Sequence, residues 1–186
     1  MNKYLLLEYF DQYLTERKDI KLVSYSSTET EGESSVCMRL LDNSDAYSTK
    51  EAKGVGLVDA GFKSLINHYG EVYSSLNTIS LTDLYFQIDH SAGRDTNLKS
   101  KTDIKIEFSN QAKNKSCFSE KTTSMGFTAI SILVKAVEFY INCELLFKRM
   151  KFLVEDAIKR NRHDVASQYK YVLTQVVEVT NYQEIT

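Results

Sequence analysis

The chain has 186 residues, of which 42% are hydrophobic and 26% are charged, and its formal net charge is −2. This composition is typical of one globular domain with a real hydrophobic core, and it excludes a disordered or fibrous chain. Because the chain has no excess of basic residues, we expect no nucleic-acid partner. The first apolar run, residues 4–7, is interrupted by Glu8, so we also expect no signal peptide, no membrane partner and a cytoplasmic location.

The first part of the chain predicts a helix, three strands and a second helix. Apolar residues three and four apart predict a helix over residues 1–17. Alternation at every second residue predicts antiparallel strands from Ile20 and over residues 36–40, and residues 46–52 form a third short strand. The apolar stripe of residues 58–69 is typical of an amphipathic helix. In the first strand, one face is predicted to carry Ile20, Leu22 and Ser24.

The same order of elements then recurs. Strands are predicted over residues 79–88, around Ile104 to Phe108 and over residues 115–122, and a longer helix follows a break at residues 124–126. The sequence therefore predicts an α+β fold in which a β-β-β-α unit is used twice. This repeat is one of element order, because the two halves share little sequence identity.

A helical extension is predicted beyond residue 150, with a break at residues 161–164. Its last apolar stripe is covered either by the rest of the chain or by a second subunit. We accordingly divide the chain into an N-terminal helix (1–19), a core domain (20–150) and a C-terminal helical extension (151–186). Three widely spaced cysteines favour buried free thiols over disulfides or a zinc site. They are Cys37, Cys117 and Cys143.

The segment GVGLVDA at residues 54–60 is the strongest candidate for a binding site. It lies where a strand leads into a helix, and the unpaired N–H groups of a helix start can hold a carboxylate. Asp59 in the first turn can take an ammonium group, so the segment matches an amino-acid zwitterion. The alternative is that Gly54 and Gly56 only permit a tight turn and that Asp59 only complements the helix dipole. A dinucleotide site is excluded because the third glycine of that motif is missing.

This segment also resembles a known protein family. Residues 54–66, GVGLVDAGFKSLI, resemble the Gly-x-Gly-Pro-x-Asp-Ala segment in the C-terminal regulatory domain of the 2-isopropylmalate and citramalate synthases. Residues 81–88 look like the family's Leu-x-Asp-Tyr strand, followed by a loop at residues 93–95. Met125-Gly126 looks like the start of its last helix. The resemblance covers roughly residues 20–147.

The resemblance implies a fold of paired β-β-β-α units that dimerises and binds leucine or isoleucine near the dimer interface. Three positions depart from the family pattern, because Leu84, Leu57 and Val55 stand where tyrosine, proline and asparagine are frequent. Carried over by position, the effector site consists of Gly54, Gly56, Val58, Asp59, Leu81, Leu84, Ile88, Leu98, Ala129 and Ser131. The alternative is a dry core filled by these apolar side chains.

The function implied by the resemblance is that of a stand-alone regulatory domain. It would bind a small amino acid, form a homodimer and modulate a separate catalytic synthase subunit in branched-chain amino-acid biosynthesis. The synthase chemistry needs a TIM barrel of about 250 residues, for which this chain has no room. We therefore expect no enzymatic activity and no cofactor, and the isolated His68, His90 and His163 predict no metal site.

The sequence is also compatible with two other functions. One is that of a structural dimerisation or scaffold protein that has the fold but no effector site. The other is that of a small catalytic domain with an unrecognised site, which only the twelve tyrosines and the acidic residues of the chain favour.

Overall fold

A computed structural model describes residues 3–88 and 102–180, and it confirms the predicted α+β fold. Two antiparallel sheets are combined with four α-helices among these residues. The order along the chain is α1 (Lys3–Tyr13), β1 (Ile20–Thr30), β2 (Glu33–Asp42), β3 (Asp45–Ser48), β4 (Ala52–Gly54), α2 (Leu57–Tyr69), a 3-10 helix (Ser74–Thr78), β5 (Ile79–Ile88), β6 (Thr102–Asn110), β7 (Lys115–Thr122), α3 (Met125–Lys159) and α4 (His163–Thr180).

The first sheet has the order β1-β2-β3, and β4 also pairs with β2. The prediction of one continuous third strand over residues 46–52 is wrong, because this stretch is divided between β3 and β4. Thr49 lies between them and explains the break. Its N–H donates to the Met38 carbonyl at 2.8 Å, but its hydroxyl accepts the Met38 N–H at 2.9 Å and the Ser64 hydroxyl at 2.7 Å. A side chain thus supplies the acceptor that a backbone carbonyl would supply in a regular strand pair.

Strand β1 contains a bulge, which was not predicted. The register with β2 shifts between Leu22 and Ser24, and Val23 at the bulge is half exposed. A bulge adds one residue and so reverses which side chains point inward. The prediction that Ser24 shares the buried face of Ile20 is therefore wrong, and the half-buried Tyr25 takes that place.

The second sheet has the order β5-β6-β7, and its central strand has the predicted alternation. Ile104, Ile106 and Phe108 are completely buried. Phe108 contacts Phe62 of α2 at 5.5 Å between ring centroids, so the two halves of the fold share one core.

Helices α1 and α4 join the same core. Leu6 of α1 and Val176 of α4 belong to the buried cluster, so the apolar stripe of α4 is covered within the chain. The cysteine prediction holds for Cys143, which is buried, but it is wrong for Cys117, which is exposed on β7. The reason is the alternation of β7, which turns Cys117 outward next to the buried Phe118.

Candidate functional site

A groove of about 470 Å³ lies where the starts of α2 and α3 meet strand β5. We call it the α2/α3 groove. It combines both halves of the fold, because α2 follows the first sheet and β5 begins the second. Its lining consists of Val55, Gly56, Leu57, Val58, Asp59, Leu81, Leu84, Phe86, Met125, Gly126 and Ala129.

The groove brings together six of the ten residues that the sequence predicted for the effector site. Strand β5 contributes Leu81 and Leu84, which lie on one face of the strand. Residues on one face normally recur at every second position, and the irregularity after Leu81 lengthens this step to three. The helix starts contribute the other four. The six residues are Gly56, Val58, Asp59, Leu81, Leu84 and Ala129.

The other predicted residues do not line the groove within the described part of the chain. Ser131 lies two positions beyond Ala129 on α3, which is about 200° around the helix axis and therefore off the groove. Leu98 and the side chain of Ile88 lie outside the described residues. Gly54 lies behind the groove, at the end of β4.

Gly54 allows α2 to begin directly against β4. A Cβ atom at this position would lie 2.4 Å from the backbone nitrogen of Ala60 and 2.6 Å from Oδ2 of Asp59. Such distances are impossible without moving the helix. Glycine is required at position 54 because two backbones approach each other closely there. No such requirement exists at Gly56, where an added Cβ would meet no atom within 4 Å.

Several lining residues were missed as members of the predicted site. Phe86 and Met125 are 46% and 45% exposed, and Val55 is 81% exposed. Phe86 follows Leu84 by two positions on β5, so the alternation of the strand was a usable signal for it. The position of Met125 depends on how α3 crosses β5, which no local pattern contains.

Asp59 is the charged residue of the groove lining, and its carboxylate is partly occupied. Oδ2 accepts the Val55 N–H at 3.0 Å and the Lys63 ammonium at 2.7 Å. Partial burial acts to raise the pKa of Asp59, but the hydrogen bonds from Lys63 and Val55 outweigh it and the pKa is lowered. Oδ1 accepts no hydrogen bond from the described part of the chain, which leaves one oxygen available to a ligand.

Two helix starts border the groove, and neither is capped by a side chain. The residues at the N-cap positions are Gly56 of α2 and Ser124 of α3, and neither forms a side-chain cap hydrogen bond. The N–H groups of a first helical turn lack partners within the helix and carry a partial positive charge. The polar end of an anionic ligand is therefore favoured at this end of an otherwise apolar groove.

Within residues 3–88 and 102–180, no group of three His, Cys, Asp or Glu side chains is placed to hold a metal ion. No helix in these ranges is long and apolar enough to cross a membrane.

Comparison of the chain with protein-family models and with curated proteins finds no match to either.

Proposed function

We propose that the chain is an amino-acid-binding regulatory module and that the α2/α3 groove is its effector site. One observation carries the proposal. Residues 55–59 of the GVGLVDA segment, which resembles the effector region of the synthase regulatory domains, line one groove with Leu81, Leu84 and Ala129 of the other half of the fold.

The chemistry of the groove suits leucine or isoleucine. The aliphatic walls match a branched side chain, the two uncapped helix starts match the carboxylate, and Oδ1 of Asp59 matches the ammonium group. A volume of about 470 Å³ lies within the usual range for small-molecule sites. Lys63 already balances much of the charge of Asp59, so the apolar walls would contribute most of the selectivity.

The proposal includes a separate catalytic partner. In this function the chain forms a homodimer, performs no reaction itself and modulates a synthase subunit of branched-chain amino-acid biosynthesis.

A second candidate function is that of a structural dimerisation or scaffold protein. The observation in its favour is the set of exposed apolar side chains at the groove, which includes Phe86 and Met125, with Phe127 nearby on α3. Contiguous exposed apolar surface often marks a protein contact. In this case a partner protein would cover the groove and no small molecule would enter it.

Calorimetric titration with leucine, isoleucine and valine tests the effector function, with glycine as the control ligand. We expect heat from the branched amino acids and none from glycine, because glycine has no side chain to fill the groove. The absence of heat from all three at millimolar concentration would refute the effector function.

Two variants of neighbouring residues on β5 locate the binding. Leu84→Trp fills the groove, whereas Tyr85→Trp changes the opposite, solvent-facing side of the same strand. We expect Leu84→Trp to abolish the heat and Tyr85→Trp to retain it. If both variants bind like the wild type, the ligand lies elsewhere.

A further inference from the structure

A second crevice lies between α1, β7 and α3, away from the groove lining. Its volume is about 210 Å³, and we call it the Glu138 crevice. Its lining comprises residues from α1, the loop after it, β7 and α3, and it shares none with the α2/α3 groove. Ligand binding in this crevice is therefore independent of the function proposed for that groove.

Three phenylalanine rings line this crevice, together with the aliphatic side chains of Leu7 and Ile132. The Phe139 ring lies 5.7 Å from that of Phe10 and 5.6 Å from that of Phe118, measured between centroids. The Arg17 guanidinium lies over the Phe10 ring at 5.7 Å, so one of these ring faces already attracts a cation. Phe10 is 1% exposed and Phe118 and Phe139 are 5% exposed, so the rings offer a ligand a small apolar surface beside the carboxylate.

The Glu138 carboxylate lines the crevice, and one of its two oxygens is hydrogen-bonded to a described residue. The side chain is only 18% exposed, and Oε2 accepts the Ile20 N–H at 3.0 Å. Oε1 accepts no hydrogen bond from the described residues, and the nearest cationic nitrogen, that of Arg17, is 3.9 Å away. Oε1 can therefore accept a hydrogen bond from a ligand, and a charged donor would strengthen that bond.

The ionisable groups around the crevice include more carboxylates than cations. Arg17 is shared between Asp11, at 2.9 Å, and Glu138, at 3.9 Å, and Lys135 forms an ion pair with Glu120 at 2.8 Å. Two cations thus face three carboxylates in this group of described residues, which leaves one negative charge in excess. A cationic ligand would restore neutrality, whereas an anionic ligand would add to the imbalance.

We propose that the Glu138 crevice binds a small organic ammonium ion, whose N–H donates to Oε1 of Glu138 and whose apolar body packs on the Phe10, Phe118 and Phe139 rings. A crevice of about 210 Å³ has the volume of roughly seven water molecules and so admits only a compact body. The ligand would join α1 to α3, because each helix contributes a wall.

The test uses 3-methylbutylamine as the probe and NMR of the labelled protein as the readout. The Ile20 amide is the reporter because its N–H is bonded to Glu138. We expect the amine to shift this resonance saturably. The alcohol and the carboxylate with the same carbon skeleton should bind at least about tenfold more weakly, since neither can place a cation at Glu138.

Titration with leucine distinguishes two classes of natural ligand that carry an ammonium group, amino acids and simple amines. If it shifts the Ile20 amide as strongly as the amine does, the natural ligand class is amino acids, with Arg17 beside the carboxylate. If it binds there more weakly, the class is simple amines. Both outcomes support the proposal, whereas equal binding of the carboxylate analogue overturns it.

Two carboxylate-to-amide variants on α3 complete the test. Glu138→Gln retains an acceptor for Ile20 but loses the charge, and we expect amine affinity to fall about tenfold or more. Asp156→Asn removes an exposed ion pair with Arg160 and should leave amine binding unchanged. If Glu138→Gln binds the amine as tightly as the wild type does, or if the wild type shows no saturable shift at Ile20, the proposal is wrong.

Discussion

The replacement of Gly54 by alanine tests how the site is built. The added methyl group would lie 2.4 Å from the nitrogen and 2.8 Å from the Cα of Ala60, both of them backbone atoms of α2. An ordinary contact between such atoms is about 3.5–4 Å, so the start of α2 must move by roughly 1 Å. Because this start is also packed on β2 and β4, the strain cannot be relieved by a side-chain rotation.

The expected loss of stability is that of an overpacked site, about 1–3 kcal/mol. For a protein of this size, each kcal/mol corresponds to about 2–4 °C in the thermal midpoint. Gly54→Ala should therefore lower the midpoint by about 2–12 °C, measured by circular dichroism. It should also weaken ligand binding in the groove, because Val55 and Asp59 move with the helix start.

Gly56→Ala is the matched control, two residues away. Its backbone is extended, with φ of −167°, and the added methyl group meets no atom within 4 Å. Alanine is a poorer N-cap residue than glycine, which lowers the free energy of unfolding, whereas the reduced entropy of the unfolded chain raises it. Each effect is about 1 kcal/mol or less. The midpoint should therefore stay within a few degrees of the wild type. Equal stabilities of Gly54→Ala and Gly56→Ala would refute the close-approach argument.

Three further predictions concern single contacts. Asp59→Asn should weaken effector binding about tenfold or more. It should lower the free energy of unfolding by only about 1 kcal/mol or less, because the ion pair with Lys63 is exposed. Equal ligand-induced shifts of the thermal midpoint in variant and wild type would show that Asp59 is only a helix-start residue. Phe108→Ala should lose about 3–5 kcal/mol in urea unfolding, because the ring is fully buried against Phe62, and a loss below about 1 kcal/mol would contradict a core shared by both halves. Burial raises the pKa of Glu138 above its ordinary 4.5, so its contribution to stability is present in full below that pH and is lost as the pH rises through the folded-state value. Glu138→Gln should therefore gain stability relative to the wild type between acidic and neutral pH, and parallel unfolding curves across this range would contradict the assignment.

The second half of the fold was easier to predict than the first. The predicted strands at residues 79–88 and 115–122 agree with β5 and β7, because alternation of apolar and polar side chains is a local signal. Register irregularities occur in both sheets, after Leu22 and after Leu81, and neither was predicted. The first sheet is further divided at Thr49, where the break depends on a hydrogen bond from another strand. The 3-10 helix Ser74–Thr78 was also missed, since its Ser75 N–H is held by Glu144, which is 69 positions away in the sequence.

The two candidate sites also differ in how local their sequence signals are. The glycine-aspartate segment was visible because its chemistry lies within seven consecutive residues, and the partner of Asp59 was also within reach, since Lys63 follows it by four positions on a helix. That pair changes the chemistry expected of the groove. With one carboxylate oxygen already shared by Lys63 and Val55, an ammonium group meets one free oxygen rather than an isolated charge. Discrimination between amino acids must then depend on how well the side chain fills the space between Leu81, Leu84 and the two helix starts. The Glu138 crevice had no such local signal, because its carboxylate and its aromatic rings come together only when α1 and β7 pack on α3.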